Sequence, residues 1–190
     1  MNRRTLLAKY SLARLLTTRA PGGPRADYFP NLVLRTHENR PARFYDDLIK
    51  GKLVVINMMY AQCDGLCPSM TSNLVKVHAA LGDRMGRDIF MYSLTLQPRV
   101  DTPRVLKDYA EMHGAGSGWL FLTGRPRDMD ILRRKLGFFD PDPVVDNDKS
   151  QHLGIIRFGN EALDRWAACP ALSDPDQIVR SILWMRPGAF

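Results

Sequence analysis

The sequence is short of thiols, acids at one end and long apolar runs, and each shortage excludes something. Its 190 residues include only three cysteines, too few and too unevenly spaced for a disulfide scaffold. No apolar run reaches the ~18 residues needed to cross a bilayer, so no membrane-spanning segment is evident. Internal repeats and low-complexity tracts are missing, which argues against solenoid and fibrous folds. Acids are missing altogether from residues 1–26, which carry Arg3, Arg4, Lys9, Arg14, Arg19 and Arg25. That segment supplies nearly all of the net charge of +7, leaving 21 basic against 20 acidic residues in 27–190. A body so close to neutral lacks the basic surface a nucleic acid requires, so no nucleic-acid partner is expected.

What is present divides the chain in two. Residues 1–26 read as a basic leader or tail. Asn2-Arg3-Arg4-Thr5-Leu6-Leu7-Ala8-Lys9 resembles a twin-arginine export signal, although Lys9 and Arg14 interrupt the apolar stretch such a signal carries. An acid-free, Arg-rich composition also suits an organelle transit peptide, and a plain basic tail or an over-long start is the alternative. Pro21-Gly22-Gly23-Pro24 marks a linker. Residues 27–190 are expected to form a single domain, and 45% apolar content supplies a core.

The order of elements follows from periodicity and turn residues. Tyr28 to Arg35 reads as extended, Thr36 to Pro41 as a turn, and Phe44 to Ile49 as a helical turn ended by Lys50-Gly51. Leu53 to Met59 is continuously apolar, as in a strand buried on both faces. Ser69 to Leu81 places Met70, Leu74, Val77, His78 and Leu81 on one helical face, with Gly82 as the stop. Ile89 to Leu96 is a second strand. Asp101-Thr102-Pro103 starts a helix expected to bury Val105, Leu106, Tyr109 and Met112. Trp119 to Leu122 is a third strand, and Pro126 opens a helix that Gly137 ends. Asp140 to Pro143 is a loop. Leu153 to Phe158 is a strand that Gly159-Asn160-Glu161 turns back into Ala162 to Ala168. Ser173-Asp174-Pro175 opens a last helix with Ile178, Ile182 and Leu183 inward. The result is an α/β domain, a central mixed sheet flanked by helices, with a β-hairpin and a C-terminal helix.

Chemistry concentrates in Cys63-Asp64-Gly65-Leu66-Cys67-Pro68, between the first apolar strand and the helix after it. Backbone N–H groups and the dipole at a helix start favour thiolate over thiol. Residues i and i+4 share a helix face, so Cys63 and Cys67 converge if the first turn is helical. Such a pair either forms a disulfide or chelates one soft metal ion. Packing as two small hydrophobes is the bland alternative, and Asp64, Gly65 and Pro68 speak for a turn instead. Met58, Met59 and Met70 have core spacing. Among the histidines, His78 reads as core, His37 as part of an exposed turn, and His113 as a helix-end residue. His152 sits at a loop–strand junction, where it can face the same rim as the cysteines.

Together these residues resemble the Sco/SenC family, thioredoxin-fold copper proteins of cytochrome c oxidase assembly. The likeness runs from Tyr28 to Phe158. It covers Arg43 to Lys52, the C-x-x-x-C-P motif at Cys63 to Pro68, Gln97 to Pro103 ending in D-T-P, Trp119 to Gly124 ending in L-T-G, and His152. The resemblance implies a thioredoxin-like fold and one copper ion, Cu(I) or Cu(II), held by Cys63, Cys67 and His152. It implies a metallochaperone that passes copper to the apo copper-site subunit of a respiratory oxidase or related copper enzyme. The location implied is the bacterial periplasm or cell envelope, or alternatively the mitochondrial inner membrane and intermembrane space. The sequence departs from the family at Asp64, where proline is usual, and at Gln97 and Gln151, where aspartate is usual. An enzymatic alternative uses the same residues. A thiol–disulfide oxidoreductase would cycle Cys63 and Cys67 to reduce a partner's copper-site cysteines, drawing on a thiol–disulfide reductant of its own. A thiol peroxidase on the same fold is a third reading. Cys169 reads as structural, or as a resolving thiol.

Overall fold

The computed structural model describes residues 23–148 and 154–188. In chain order the strands and α-helices are β1 (Val33–Thr36), β2 (Pro41–Arg43), β3 (Leu53–Met59), α1 (Leu66–Leu81), β4 (Ile89–Thr95) and α2 (Pro103–Met112). They continue with β5 (Trp119–Thr123), α3 (Pro126–Lys135), α4 (Pro143–Asn147), β6 (Ile155–Asn160), β7 (Arg165–Pro170) and α5 (Pro175–Leu183). A six-residue stretch of π spacing, Phe44–Ile49, precedes β3.

One mixed sheet runs β2-β1-β5-β4-β3-β6-β7. Its centre, β5-β4-β3, is parallel, and β1 and β6 add antiparallel on either side. Parallel neighbours need crossovers, and right-handed crossovers stepping in one direction put their helices on one face. Accordingly α1, α2 and α5 cover the face bearing Val55, Met59, Met91, Phe121, Ile156 and Phe158. The other face, with Val54, Ile56, Met58, Tyr92, Leu94 and Leu122, is covered by α3 and the Phe44–Ile49 turn. The apolar run of β3 is buried at all seven positions, as the run predicts. Its one polar member, Asn57, accepts a hydrogen bond from the Ser93 hydroxyl at 2.8 Å, and Ser93 in turn accepts from Trp119 Nε1 at 2.9 Å.

Several details differ from the sequence reading for identifiable reasons. Helix α1 starts three residues earlier than Ser69, because a sulfur caps it. Met112 is 76% exposed rather than buried, since α2 ends there and its inward stripe is Leu106, Tyr109 and Ala110. The segment after Asp142 is a short helix, with Pro143 in its first turn and the Asp142 side chain accepting from Val144 N–H at 2.9 Å. Strand β6 begins at Ile155 and extends to Asn160, and a 3-10 turn, Glu161–Leu163, delays β7 to Arg165. The body also takes in the linker end. The Arg25 N–H donates to buried Glu161 at 3.3 Å, and its guanidinium pairs with Asp164.

Candidate metal centre

Because β3 and β4 are parallel neighbours, the loops leaving their C-terminal ends lie side by side. Leu96 N–H donates to Met59 O at 2.8 Å, which fixes the two exits together. Past that point Asp101 reaches across. Wholly buried, its carboxylate accepts Ala61 N–H at 3.2 Å and the Thr95 hydroxyl, pinning the backbone two residues before Cys63. Burial pushes the Asp101 pKa up against those two bonds. The sequence reading has Asp101 only as part of a helix start; its hold on the cysteine loop depends on strand adjacency.

The loop then turns back on itself, with Cys63 N–H donating to Tyr60 O at 3.3 Å. Gly65 stands at the N-cap of α1 and has no side chain to cap it. Instead Cys63 Sγ accepts Cys67 N–H at 3.5 Å, a sulfur in the place of the usual capping oxygen. The two cysteines therefore converge, as i and i+4 spacing predicts. Both also belong to the hydrophobic core. Cys67 has no exposed surface and Cys63 is 8% exposed, so Cys63 is the sulfur nearer to solvent. Neither is in a disulfide.

The two sulfurs are electrostatically unequal. Burial opposes a Cys63 thiolate, but hydrogen bonds from the Cys67 side chain, Cys67 N–H, the Tyr60 hydroxyl and Gly65 N–H outweigh it and hold its pKa below the ordinary thiol value. Burial pushes Cys67 up to about 12, and its bond to Cys63 acts in the same direction. Tyr60 is raised in return, first by its bond to Cys63 and then by burial. In the same core Tyr109 and Thr71 share a hydrogen bond of 2.9 Å, and burial raises the Tyr109 hydroxyl to about 12. In the reduced pair Cys63 is therefore the sulfur favoured as thiolate and Cys67 the one favoured as thiol. At neutral pH iodoacetamide should modify Cys63 first and leave Cys67 untouched until the chain unfolds. Peptide mapping by mass spectrometry reads this directly, and equal labelling of both would contradict it.

Other candidate residues fall as follows. Asp64 is exposed, and Gln97 N–H donates to Thr95 Oγ1 at 2.8 Å. Met58, Met59 and Met70 are buried core residues. Cys169 is half-buried on β7 opposite Ile156, packed against the same core as the pair, with its pKa raised by burial. His37 is not exposed as its turn suggested. Phe121 N–H donates to its Nδ1 at 3.1 Å, and burial lowers its pKa. His78 is half-buried, bonded to Ser117 O at 2.9 Å and stacked on Trp119. His113 lies 4.2 Å from the Tyr109 ring. His152 and Gln151 lie outside the described residues. Among the described residues no three His, Cys, Asp or Glu side chains form a metal-sized cluster. Tyr60 and Asp101, which sequence reasoning did not single out, are the residues that bond the cysteine loop; a tyrosine three positions before Cys63 was the available signal for the first.

Comparison with known proteins agrees with this architecture. A Stutzerimonas stutzeri protein whose name describes it as copper-binding is 27% identical over 141 residues, 74% of this chain, which spans 65% of that protein's length. A SCO1/SenC family lipoprotein of Bacillus anthracis superposes with a TM-score of 0.67 at 20% identity, covering 81% of this chain and 92% of that one. Bradyrhizobium japonicum ScoI with copper bound gives a TM-score of 0.66 at 18% identity, covering 88% of this chain and 100% of that one. These likenesses establish a thioredoxin-like fold. The sequence pattern of the SCO1/SenC family matches residues 34–182 from β1 to α5, so the chain belongs to the SCO1/SenC family.

Proposed function

We propose that this protein is a copper chaperone holding one Cu(I) ion between Cys63, Cys67 and His152. The observation that carries this reading is the convergence of two sulfurs at the start of α1, one of them favoured as thiolate. Thiolate and imidazole donors form a soft set that suits Cu(I), and a three-donor set leaves room for ligand exchange. Chain geometry supports His152 as the third donor. Gly154 lies against Leu66, so closely that an added Cβ would sit 2.6 Å from Leu66 Cδ2, and Leu66 is the neighbour of Cys67. Residue 152 is two positions away, within about 7 Å of backbone. A copper-bound relative of the same fold and a relative named for copper binding support the choice of metal. The cargo would pass by stepwise ligand exchange to the apo copper site of a respiratory oxidase subunit or a related copper enzyme. A location in the cell envelope follows from that role, and a relative of this fold is a lipoprotein. Oxidation of the pair to a disulfide would release the metal, because only deprotonated thiols bind it.

His152→Ala should weaken Cu(I) binding in a chelator competition by at least about tenfold, given that even groups supporting a ligand are worth ~10–100-fold. Unchanged affinity would remove His152 from the site. The asymmetry of the two thiols favours a second reading, in which Cys63, the sulfur nearer to solvent, attacks a partner's disulfide and the more deeply buried Cys67 resolves it. Under that reading His152→Ala leaves function in cells intact, whereas the chaperone reading predicts loss of function with thiol exchange preserved.

A further inference from the structure

Glu161 opens the 3-10 turn between β6 and β7 and is 1% exposed. Among the described residues its carboxylate is bonded only by neutral donors. The Tyr45 hydroxyl donates to Oε1 at 2.8 Å, Gly51 N–H to Oε2 at 2.8 Å, and Arg25 N–H to Oε1 at 3.3 Å. The cations of the adjoining chain are engaged elsewhere. The Arg25 guanidinium pairs with Asp164, and Lys52 Nζ donates to Asp47 O. Neutral hydrogen bonds offset only part of the cost of burying a carboxylate, so a cation is the missing partner.

One nitrogen stands next to it. Gly23-Pro24-Arg25 wraps the carboxylate, and buried Phe29 holds this stretch in place with its ring stacked on Tyr45 and 5.0 Å from Trp166. Gly23 N–H bonds to the Tyr45 hydroxyl. A Cβ on Gly23 would sit 2.2 Å from Glu161 Oε1 and 2.7 Å from Oε2, so the carboxylate leaves room for glycine alone. Bond lengths then place Gly23 N within about 5 Å of Oε1. In the intact chain this nitrogen is a neutral amide. As a chain terminus it would be an α-amine, mostly protonated at neutral pH.

We propose that residues 1–22 are removed by a peptidase that cuts before Gly23, and that Glu161 receives the ammonium group so formed. Water adds across the Gly22–Gly23 bond, giving a Gly22 carboxylate and a Gly23 ammonium with no net release of a proton. The ammonium reaches Oε1 by a shift of at most about 2 Å, and the bond it makes there is charge-assisted. The piece that leaves carries Arg3, Arg4, Lys9, Arg14 and Arg19 and no acid, a composition that suits an address segment. The pairing does not involve the cysteines and stands whether or not they bind copper.

The test uses a full chain in which residues 17–22 are replaced by a protease recognition sequence cut directly before Gly23. A companion chain carries that sequence at residues 14–19, so its cut leaves Ala20-Pro21-Gly22 ahead of Gly23. Cutting the first chain should raise its thermal midpoint by at least about 3 °C, as one charge-assisted bond does in a protein of this size. Cutting the companion should give less than half of that gain, although both lose the basic leader. Glu161→Gln should abolish the gain in the first chain. No gain from the first cut overturns the proposal, and so do equal gains from the two cuts, because loss of leader charge then explains them. Protein recovered from its own cells should begin at Gly23, and a chain that keeps the leader or begins elsewhere also overturns the proposal.

Discussion

Cys63→Ser should abolish tight Cu(I) binding while leaving the fold as stable as before. The two effects separate because Cys63 does two things. Its sulfur accepts Cys67 N–H in the first turn of α1, and a serine oxygen is a preferred group in that capacity. The hydroxyl can also bond Tyr60, so no buried donor is stranded. As a metal ligand, however, serine is a poor replacement for a soft thiolate. Metal binding of about 10–16 kcal/mol shared over four ligands amounts to roughly 3 kcal/mol each, so losing one costs at least about a hundredfold in affinity. Chelator competition alongside thermal unfolding measures both quantities on one preparation. A serine variant that keeps copper affinity would place the metal elsewhere, and one that unfolds would mean the sulfur is needed by the helix itself.

Arg133→Ala should give the largest loss of stability of any single charge removal. The Arg133 and Asp146 side chains are 8% and 6% exposed, and Arg133 binds both carboxylate oxygens of Asp146, one of them at 2.8 Å. It also donates to Asp130 at 3.0 Å and to Phe138 O at 3.1 Å, while Asp140 N–H donates to Asp146 at 3.0 Å. Removing one partner strands a buried charge, at a cost of about 3–5 kcal/mol. For a chain of this size that lowers the thermal midpoint by roughly 6–20 °C. The pH dependence has a definite sign. Hydrogen bonds from Arg133 hold the Asp146 carboxyl below its usual range, so the stabilisation is complete above that range. It disappears as pH falls through about 4 and below. The variant should therefore be weak at neutral pH and show a shallower acid limb. A variant within 1 kcal/mol of wild type at neutral pH would show that solvent already screens the pair.

How far the sequence could be read depended on whether the deciding interaction was local. The apolar run of β3 and the proline-opened helices α2, α3 and α5 are local signals, and they appear where expected. The start of α1 was not visible, because its cap is a sulfur three residues before Leu66 and capping rules look for oxygen. Pro41 read as part of a turn, yet β2 is the sheet edge, where a missing N–H is tolerated. Met112 fits the apolar pattern of α2, but the helix ends before it can turn inward. In the centre itself the motif singles out Cys63 and Cys67, and their convergence follows from helical spacing. Their inequality does not. It depends on Tyr60, on burial in the core and on backbone N–H groups, none of which spacing reveals. Likewise Asp101 acts on the cysteine loop through the pairing of β3 with β4, a contact forty residues apart in sequence.

X-ray absorption at the copper edge, on protein loaded with one equivalent of Cu(I), tests the coordination sphere most directly. The account predicts two sulfur scatterers and one imidazole nitrogen, with the nitrogen lost on His152→Ala and one sulfur lost on Cys63→Ser. A sphere made of sulfur alone in the wild type, unchanged by the histidine substitution, would contradict it.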